Sequence, residues 1–173
     1  MQMKPQDLLV VLKILASGWP GSYALLGLDL GLSPSEAHAA MGRARKAGLM
    51  HPLENTPIKT ALAEFLLHGI RYVLPAEPGS MTRGMPTSYA APPLREQFSS
   101  SENDDVPVWP DPDGERRGYE LKPLYRSVPK AARKDAKLYE WLALVDALRA
   151  GRARERELAR QIVERRLNYA AIR

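Results

Sequence analysis

The chain contains no cysteine and only three histidines, His38, His51 and His68. The lack of cysteine excludes disulfide bonds, thiol nucleophiles and thiolate metal ligands, and it fits a reducing cytoplasm. The histidines are too far apart in sequence to form a His-x-x-x-His metal pair. No apolar run approaches the roughly 20 residues that a membrane-spanning helix needs. We therefore expect a cytoplasmic protein that has no metal site, no cofactor and no membrane association.

Motifs for catalysis are equally scarce. The sequence places no histidine beside a serine or threonine that it could activate as a nucleophile. The segment Gly79–Gly84 lacks the lysine and the following helix of a phosphate-binding loop. The clearest pair of carboxylates, Asp104 and Asp105, is expected to keep a surface loop solvated. The sequence therefore predicts that the protein is not an enzyme and that it works by binding.

The chain does contain an excess of positive charge, and this excess is unevenly distributed. The formal net charge is +5 and the isoelectric point is about 9.6, which suits a polyanionic partner. The net charge is +2 for residues 1–74, −5 for residues 75–116 and +8 for residues 117–173. The 173 residues, 45% of them hydrophobic, are enough for one ordinary domain or two small ones.

Hydrophobic periodicity predicts a mainly α fold. In residues 1–74, start and stop signals, mainly glycine and proline, predict four helices: Pro5–Ala16, Tyr23–Leu30, Ser33 to Gly48 and Pro57–His68. Branched and aromatic residues at Ile70–Leu74, stopped by Pro75, predict a strand after the fourth helix.

The remainder of the chain divides into two further regions. Eight prolines in residues 75–116 exclude long helices there and predict an extended segment across a packed surface. Within it, Ser99–Asp105 is expected to be a mobile loop. Residues 117–173 are predicted to contain a pair of helices, Asp135–Arg149 and Arg152–Asn168, the second with a charged outer face.

The segment Ser33–Leu49, SPSEAHAAMGRARKAGL, carries its own helix signals. Ser33 and Glu36 match an S-x-x-E capping box, Pro34 suits the first helical position, and Gly48 ends the helix. Small residues recur on one side, and a tight Gly-Leu turn separates this helix from the short one before it. This order is typical of a helix-turn-helix, whose second helix enters the DNA major groove.

We expect the outer side of this helix to contact double-stranded DNA. Arg43 is suited to a bidentate pair with guanine, and Ser35 and His38 lie where they could reach base edges. Phosphate contacts are expected from Arg45, Lys46 and the start of the second helix at Ser22 and Tyr23. The alternative is that these polar side chains only form a solvated helix face. The candidate DNA-binding residues are Ser22, Tyr23, Ser33, Ser35, His38, Ala39, Arg43, Arg45, Lys46 and Arg83.

The sequences Tyr23–Leu32 (YALLGLDLGL) and Ser33–Leu49 give roughly the first 74 residues a resemblance to bacterial winged helix-turn-helix transcriptional regulators of the MarR/ArsR type. The resemblance implies that the third helix reads the major groove and that a following hairpin, the wing, touches the minor groove or the backbone. It also implies a repressor that acts as a homodimer on two half-sites.

The wing is the point at which this sequence departs from the family pattern. Met50–Asn55 is too short for a good hairpin and contains Pro52, and a helix is predicted next. The wing is either lost or displaced to Ile70–Leu74 and Thr82–Ser88, which would bring Arg83 close to its tip.

Two functions remain open from the sequence. The first is a dimeric, sequence-specific DNA-binding regulator built from a helix-turn-helix domain (1–74), a proline-rich extended segment (75–116) and a helical dimerisation or partner-binding region (117–173). The second is an antitoxin or adaptor that binds a partner protein through the extended segment and the C-terminal helices.

Overall fold

A computed structural model describes residues 2–99 and 104–170, and it is mainly helical with one small three-stranded sheet, in agreement with the predicted mainly α class. Most of the predicted mobile loop at Ser99–Asp105 lies outside the described residues. The helices are α1 (Pro5–Ser17), α2 (Tyr23–Leu30), α3 (Pro34–Lys46), α4 (Lys59–Glu64), α5 (Ile70–Val73), α6 (Val128–Lys134), α7 (Ala136–Ala150) and α8 (Ala153–Arg166), and the strands are β1 (Pro78–Pro86), β2 (Pro107–Pro110) and β3 (Arg116–Leu121).

Contacts divide the chain into two compact units. The first unit contains the chain up to Leu62 together with Leu124–Trp141, and the second contains Ala63–Pro123 together with the chain from Leu142 onward. The basic helix α6 therefore belongs with α1, α2 and α3, although some 80 residues of sequence separate α6 from α3. The domain boundaries expected from the sequence, at 74/75 and 116/117, differ from this division.

Helix α1 is the central helix of the first unit. All eight residues from Asp7 to Ile14 are buried, which is the pattern of a helix that is covered on every side. Helix α3 packs against α1 and α2 through Ala37, Ala40, Met41 and Ala44, which are fully buried. These residues are small apart from Met41, so the helices approach closely. The spacing predicts that Ala37, Met41, Ala44 and Gly48 face inward; this is confirmed for the first three, whereas Gly48 is only partly buried.

The connection between α2 and α3 is tight because glycine occupies two critical positions. Gly31 ends α2 with a left-handed φ of 69°, which a side chain would disfavour. The Leu32 amide donates to the Gly27 carbonyl at 2.9 Å, and a Cβ on Gly27 would overlap the Leu32 carbonyl oxygen. The turn therefore folds directly onto the preceding helix, and Ser33 then caps α3.

The segment directly after α3, predicted to be too short for a good hairpin, forms a small hairpin closed by one isolated bridge and not by a pair of strands. The Ile58 amide donates to the Leu49 carbonyl and the His51 amide to the Thr56 carbonyl, both at 2.9 Å, and Met50 pairs with Pro57 in an antiparallel bridge. These two hydrogen bonds constitute the bridge, and they are enough to close this short loop because α3 also holds it, as described below. Its tip exposes Leu53, which is 91% accessible.

Asp135 joins the end of α6 to α7 and ties both to α1. Its carboxylate accepts the Lys137 and Leu138 amides at 3.1 Å, so it caps α7 as predicted, and it accepts Lys13 Nζ at 2.6 Å. Burial raises the pKa of Asp135, but hydrogen bonds from Lys13 and Ser17 outweigh burial and leave the pKa below its ordinary value.

The predicted strand at Ile70–Leu74 is wrong, because these residues continue a helix. Helix α4 passes through a π-helical turn at Phe65–Gly69 directly into α5. Leu62, Leu66 and Ile70 are buried at a spacing of four residues, so burial follows the helical period and overrides the strand propensity of the branched residues. Pro75 lies just beyond this helix.

The proline-rich region supplies β1 and β2 of the sheet in the second unit, and β3 begins at its last residue. β1 pairs antiparallel with β2 and with β3, and β2 pairs with β3 in parallel. Val106, Val108 and Ala90 form a small buried cluster. The region is extended as predicted, but the proposed wing of Ile70–Leu74 and Thr82–Ser88 does not exist, since Pro78–Ser80, expected to turn, lie in β1.

A buried polar cluster holds the C-terminal part of α7 within the second unit. Asp146 is 1% exposed, and its carboxylate accepts Trp109 Nε1 at 2.7 Å, Thr87 Oγ1 at 2.6 Å and Arg149 Nε at 2.9 Å. Arg149 donates in turn to the Leu74 carbonyl. The buried carboxylate is thereby paired and hydrogen-bonded, as a charge in a low-dielectric interior must be.

Candidate nucleic-acid interface

The outer face of α3 exposes mostly small side chains and few charges to solvent. Ser35, His38, Ala39 and Lys46 are exposed, and Gly42 between them is partly exposed with open space around its Cα. This set follows the helical spacing of one face, opposite the buried alanines. A smooth face of this kind permits a close approach to the floor and walls of a groove.

An aromatic stack supports the first turn of this face. The Tyr23 ring lies edge-on to the His38 imidazole with their centroids 4.8 Å apart, and Trp19 packs against Tyr23 at 5.0 Å. The start of α2 therefore holds the imidazole ring of His38 in place, although His38 remains exposed to solvent. Tyr23, predicted to contact phosphate, is half-buried and orients His38.

Arg43 does not lie on the outer side of α3, and this part of the prediction is wrong. Its Nε and Nη2 each donate at 2.8 Å to one oxygen of the Asp7 carboxylate, and the Asp7 side chain is completely buried. These bonds raise the pKa of Arg43. A bidentate pair to a buried carboxylate uses the donors that would otherwise recognise guanine, so Arg43 fixes α3 to α1.

Arg45 is also directed back into the protein. Its Nε donates to the His51 carbonyl at 3.2 Å and its Nη2 to Asn55 Oδ1 at 2.6 Å. Both acceptors lie in the short hairpin that follows α3, so Arg45 holds this hairpin against the helix. Its predicted role as an outward-facing phosphate contact does not fit this geometry.

Ser22 and Ser33, both expected at the interface, act as helix caps. Ser22 Oγ accepts the Leu25 amide and Ser33 Oγ accepts the Glu36 amide, each at 3.1 Å. Glu36 completes the predicted capping box by accepting the Ser33 amide at 2.8 Å. The hydrogen bonds from Ser33, with a smaller contribution from the positive charge of Arg126, hold the pKa of Glu36 below its ordinary value.

Arg83 belongs to the second unit and does not lie at the tip of a wing. It lies within β1 opposite Arg117 of β3, and its guanidinium donates to the Gly114 carbonyl at 3.5 Å. The strand position follows from the antiparallel register, which the sequence did not reveal. Arg83 is therefore not grouped with the α3 residues of the first unit.

A row of exposed cations lies on α6 and the residues next to it, in the same unit as α3, which the sequence did not predict. Ser127 Oγ donates to the Leu30 carbonyl, and Lys134 Nζ approaches the Leu28 carbonyl at 3.5 Å, so α6 lies along the C-terminal half of α2. All members of this row are exposed; three lie on α6, one shortly before it and one in the first turn of α7. We call them the α6 stripe: Arg126, Lys130, Arg133, Lys134 and Lys137.

The α6 stripe changes the charge of the first unit. This unit contains 11 basic and 6 acidic side chains, a net charge of +5, whereas the second unit contains 14 of each. The whole excess charge of the chain therefore belongs to the unit that contains α3. The +8 of residues 117–173 was visible in the sequence, but only the packing of α6 on α2 assigns part of it to this unit.

Within residues 2–99 and 104–170, no group of three or more His, Asp or Glu side chains is arranged to hold a metal ion. In the same part of the chain, no helix combines the length and the apolar character that crossing a membrane requires. Comparison of the chain with protein-family models, with curated proteins and with solved structures finds no match.

Proposed function

We propose that the protein is a sequence-specific, double-stranded DNA-binding regulator in which α2, the tight turn and α3 form a helix-turn-helix. The observation that carries the proposal is that the exposed face of α3 belongs to the one unit that holds all of the excess positive charge. Ser35, His38 and Lys46 on this face supply hydrogen-bond donors and one cation for a major groove.

The α6 stripe supplies the sequence-independent part of the binding. Five exposed cations on α6 and the residues that flank it suit contacts with phosphates, which dominate affinity in protein–DNA complexes. The hairpin after α3 takes the position of a wing, but its tip carries Leu53 and Glu54 and no cation. In this proposal the stripe, and not the wing, holds the DNA backbone.

The proposed regulator acts as a dimer. A single helix of this size recognises a few base pairs, and two copies on half-sites one helical turn apart, about 34–36 Å, are the usual solution. The partner-protein hypothesis stays a prediction. The apolar side chains that motivated it, such as Val106 and Val108, are buried within the second unit and do not form a gripping surface.

A selection for bound duplexes from a random library, followed by footprinting and titration of the preferred site, tests the proposal. We expect a double mutant His38→Ala/Lys46→Gln to lose about tenfold or more in affinity for the selected site and to relax its base preference. Lys122→Gln/Arg165→Gln, which removes two charges from the second unit, is the matched control and should retain the preference. Failure to select any motif, or an unchanged affinity in the α3 variant, would overturn the proposal.

A further inference from the structure

The second unit contains a cleft in which three arginines converge. The cleft has a volume of about 310 Å³ and is lined by Arg71, Arg156 and Arg160, by one acid, Glu157, and by apolar groups that include Leu67 and Leu148. Nothing in the proposed DNA-binding function uses these residues.

The arginines come from two separate parts of the chain. Arg156 and Arg160 are four residues apart on one face of α8, and Ala153 one turn earlier leaves room beside them. Arg71 is contributed by α5. Folding therefore brings together cations that are about 85 residues apart in sequence. A single solvated helix face would contain cations of one helix only.

Acids offset part of the charge of this cleft. Glu157 in the lining accepts a hydrogen bond from Gln161 Nε2 at 3.2 Å, and Arg160 Nε forms an ion pair at 3.3 Å with Glu164, which is not part of the lining. The Arg71 guanidinium lies over the Tyr72 ring at 5.3 Å. Such stacking occupies the face of a guanidinium and leaves the N–H donors at its edge free to bind an anion.

The charge and size of the cleft indicate the kind of ligand. Three guanidinium groups and one carboxylate give a lining charge of +2, or +1 when Glu164, the ion-pair partner of Arg160, is included, so the cleft attracts a phosphate group of about −1.5 to −2 at neutral pH. Arginine forks fit the oxygen geometry of phosphate. The volume exceeds that of a bare phosphate, and Leu67 and Leu148 offer an apolar surface to a small organic group.

We propose that this cleft is a binding site for a small phosphorylated molecule, held through its phosphate by Arg71, Arg156 and Arg160. The site is independent of the DNA-binding proposal, since its ligand is recognised without a duplex. It gives the second unit, which has no net charge, a local concentration of positive charge with a specific use.

Calorimetric titration of the full chain with inorganic phosphate and with pyrophosphate, at constant ionic strength in chloride, tests the site. We expect saturable binding of one anion per chain, stronger for pyrophosphate. Arg156→Gln and Arg71→Gln should each weaken it about tenfold or more, as expected for loss of a charged hydrogen-bonding partner. Arg165→Gln removes the same charge from an exposed position of α8 outside the cleft and should leave the affinity unchanged.

Far-ultraviolet circular dichroism and thermal unfolding establish that each variant is folded before titration. Absence of saturable binding to the wild-type chain would overturn the proposal. An equal loss in Arg165→Gln would show attraction by net charge alone and would also overturn it. If the cleft variants weaken duplex binding while phosphate does not saturate, the cleft contacts a nucleic-acid backbone and the small-ligand assignment is wrong.

Discussion

At the scale of single residues, the hydrogen-bond partners of each basic side chain show whether it stabilises the fold or remains exposed to a ligand. Arg43 and Arg45 have the sequence appearance of surface cations on a basic helix end, yet both are bound to acceptors inside the first unit. Lys46, the neighbour of Arg45, remains exposed. The difference arises from the position of each residue around the helix, because Lys46 is in line with the exposed Ala39, whereas Arg43 and Arg45 lie at the two edges of the exposed face.

We predict that Arg43→Ala destabilises the fold by about 3–5 kcal/mol, since it leaves the fully buried Asp7 carboxylate without its ion-pair partner. Urea or guanidinium unfolding followed by circular dichroism measures this change. Lys46→Ala is the control and should alter the free energy of unfolding by less than about 0.5 kcal/mol. A stable Arg43→Ala protein that has lost only its base preference would restore Arg43 as a contact to DNA.

At the scale of elements, the turn between α2 and α3 depends on a close backbone approach. A Cβ at Gly27 would overlap the Leu32 carbonyl oxygen, whereas a Cβ at Gly42, on the outer side of α3, would meet nothing within 4 Å. Both glycines lie in helices, so both replacements by alanine gain the same helical propensity. The pair therefore isolates the effect of packing at the turn.

We predict that Gly27→Ala lowers the free energy of unfolding by about 1–3 kcal/mol, the usual cost of overpacking. Gly42→Ala should raise it by about 0.5–1 kcal/mol, because alanine restricts the unfolded chain and favours the helix. Thermal and denaturant unfolding of the two variants give both values. The two changes in the free energy of unfolding need not be equal in size. A Gly27→Ala protein that is more stable than the wild type would contradict the close approach.

At the scale of the whole molecule, charge is partitioned between the units. The net charge of the first unit is +5, and the net charge of the second unit is zero. Because counterion release makes DNA affinity depend on the cations that meet phosphates, the salt dependence of binding should follow the first unit alone.

We predict that Lys130→Gln/Lys137→Gln reduces the slope of log affinity against log salt by about 2, close to one unit for each lost phosphate contact. The affinity for all duplex sequences should fall together, since these residues read no bases. Fluorescence anisotropy across a range of salt concentrations measures the slope. Lys122→Gln/Arg165→Gln should leave the slope unchanged, and equal slopes for the two variants would contradict a role for the α6 stripe.

Local signals were sufficient for most of the helices. The caps at Ser22, Ser33 and Asp135 occur where their side chains predict them, because capping is a short-range interaction between neighbouring residues. The strand expected at Ile70–Leu74 failed for the opposite reason, since branched residues have only a weak preference that burial of Ile70 on a helix overrides.

The sequence by itself determined the mainly helical class, the capped helix α3 and the position of its small exposed residues, because each depends on periodicity and on contacts within one turn. It also contained a signal that was not used: Asp7 within an apolar helix must find a positive partner. Only the tertiary structure decided that this partner is Arg43, that Arg45 holds the hairpin, and that α6 adds its cations to the unit of α3. These pairings join residues that lie beyond one helical turn of each other, and no preference within a single turn specifies them.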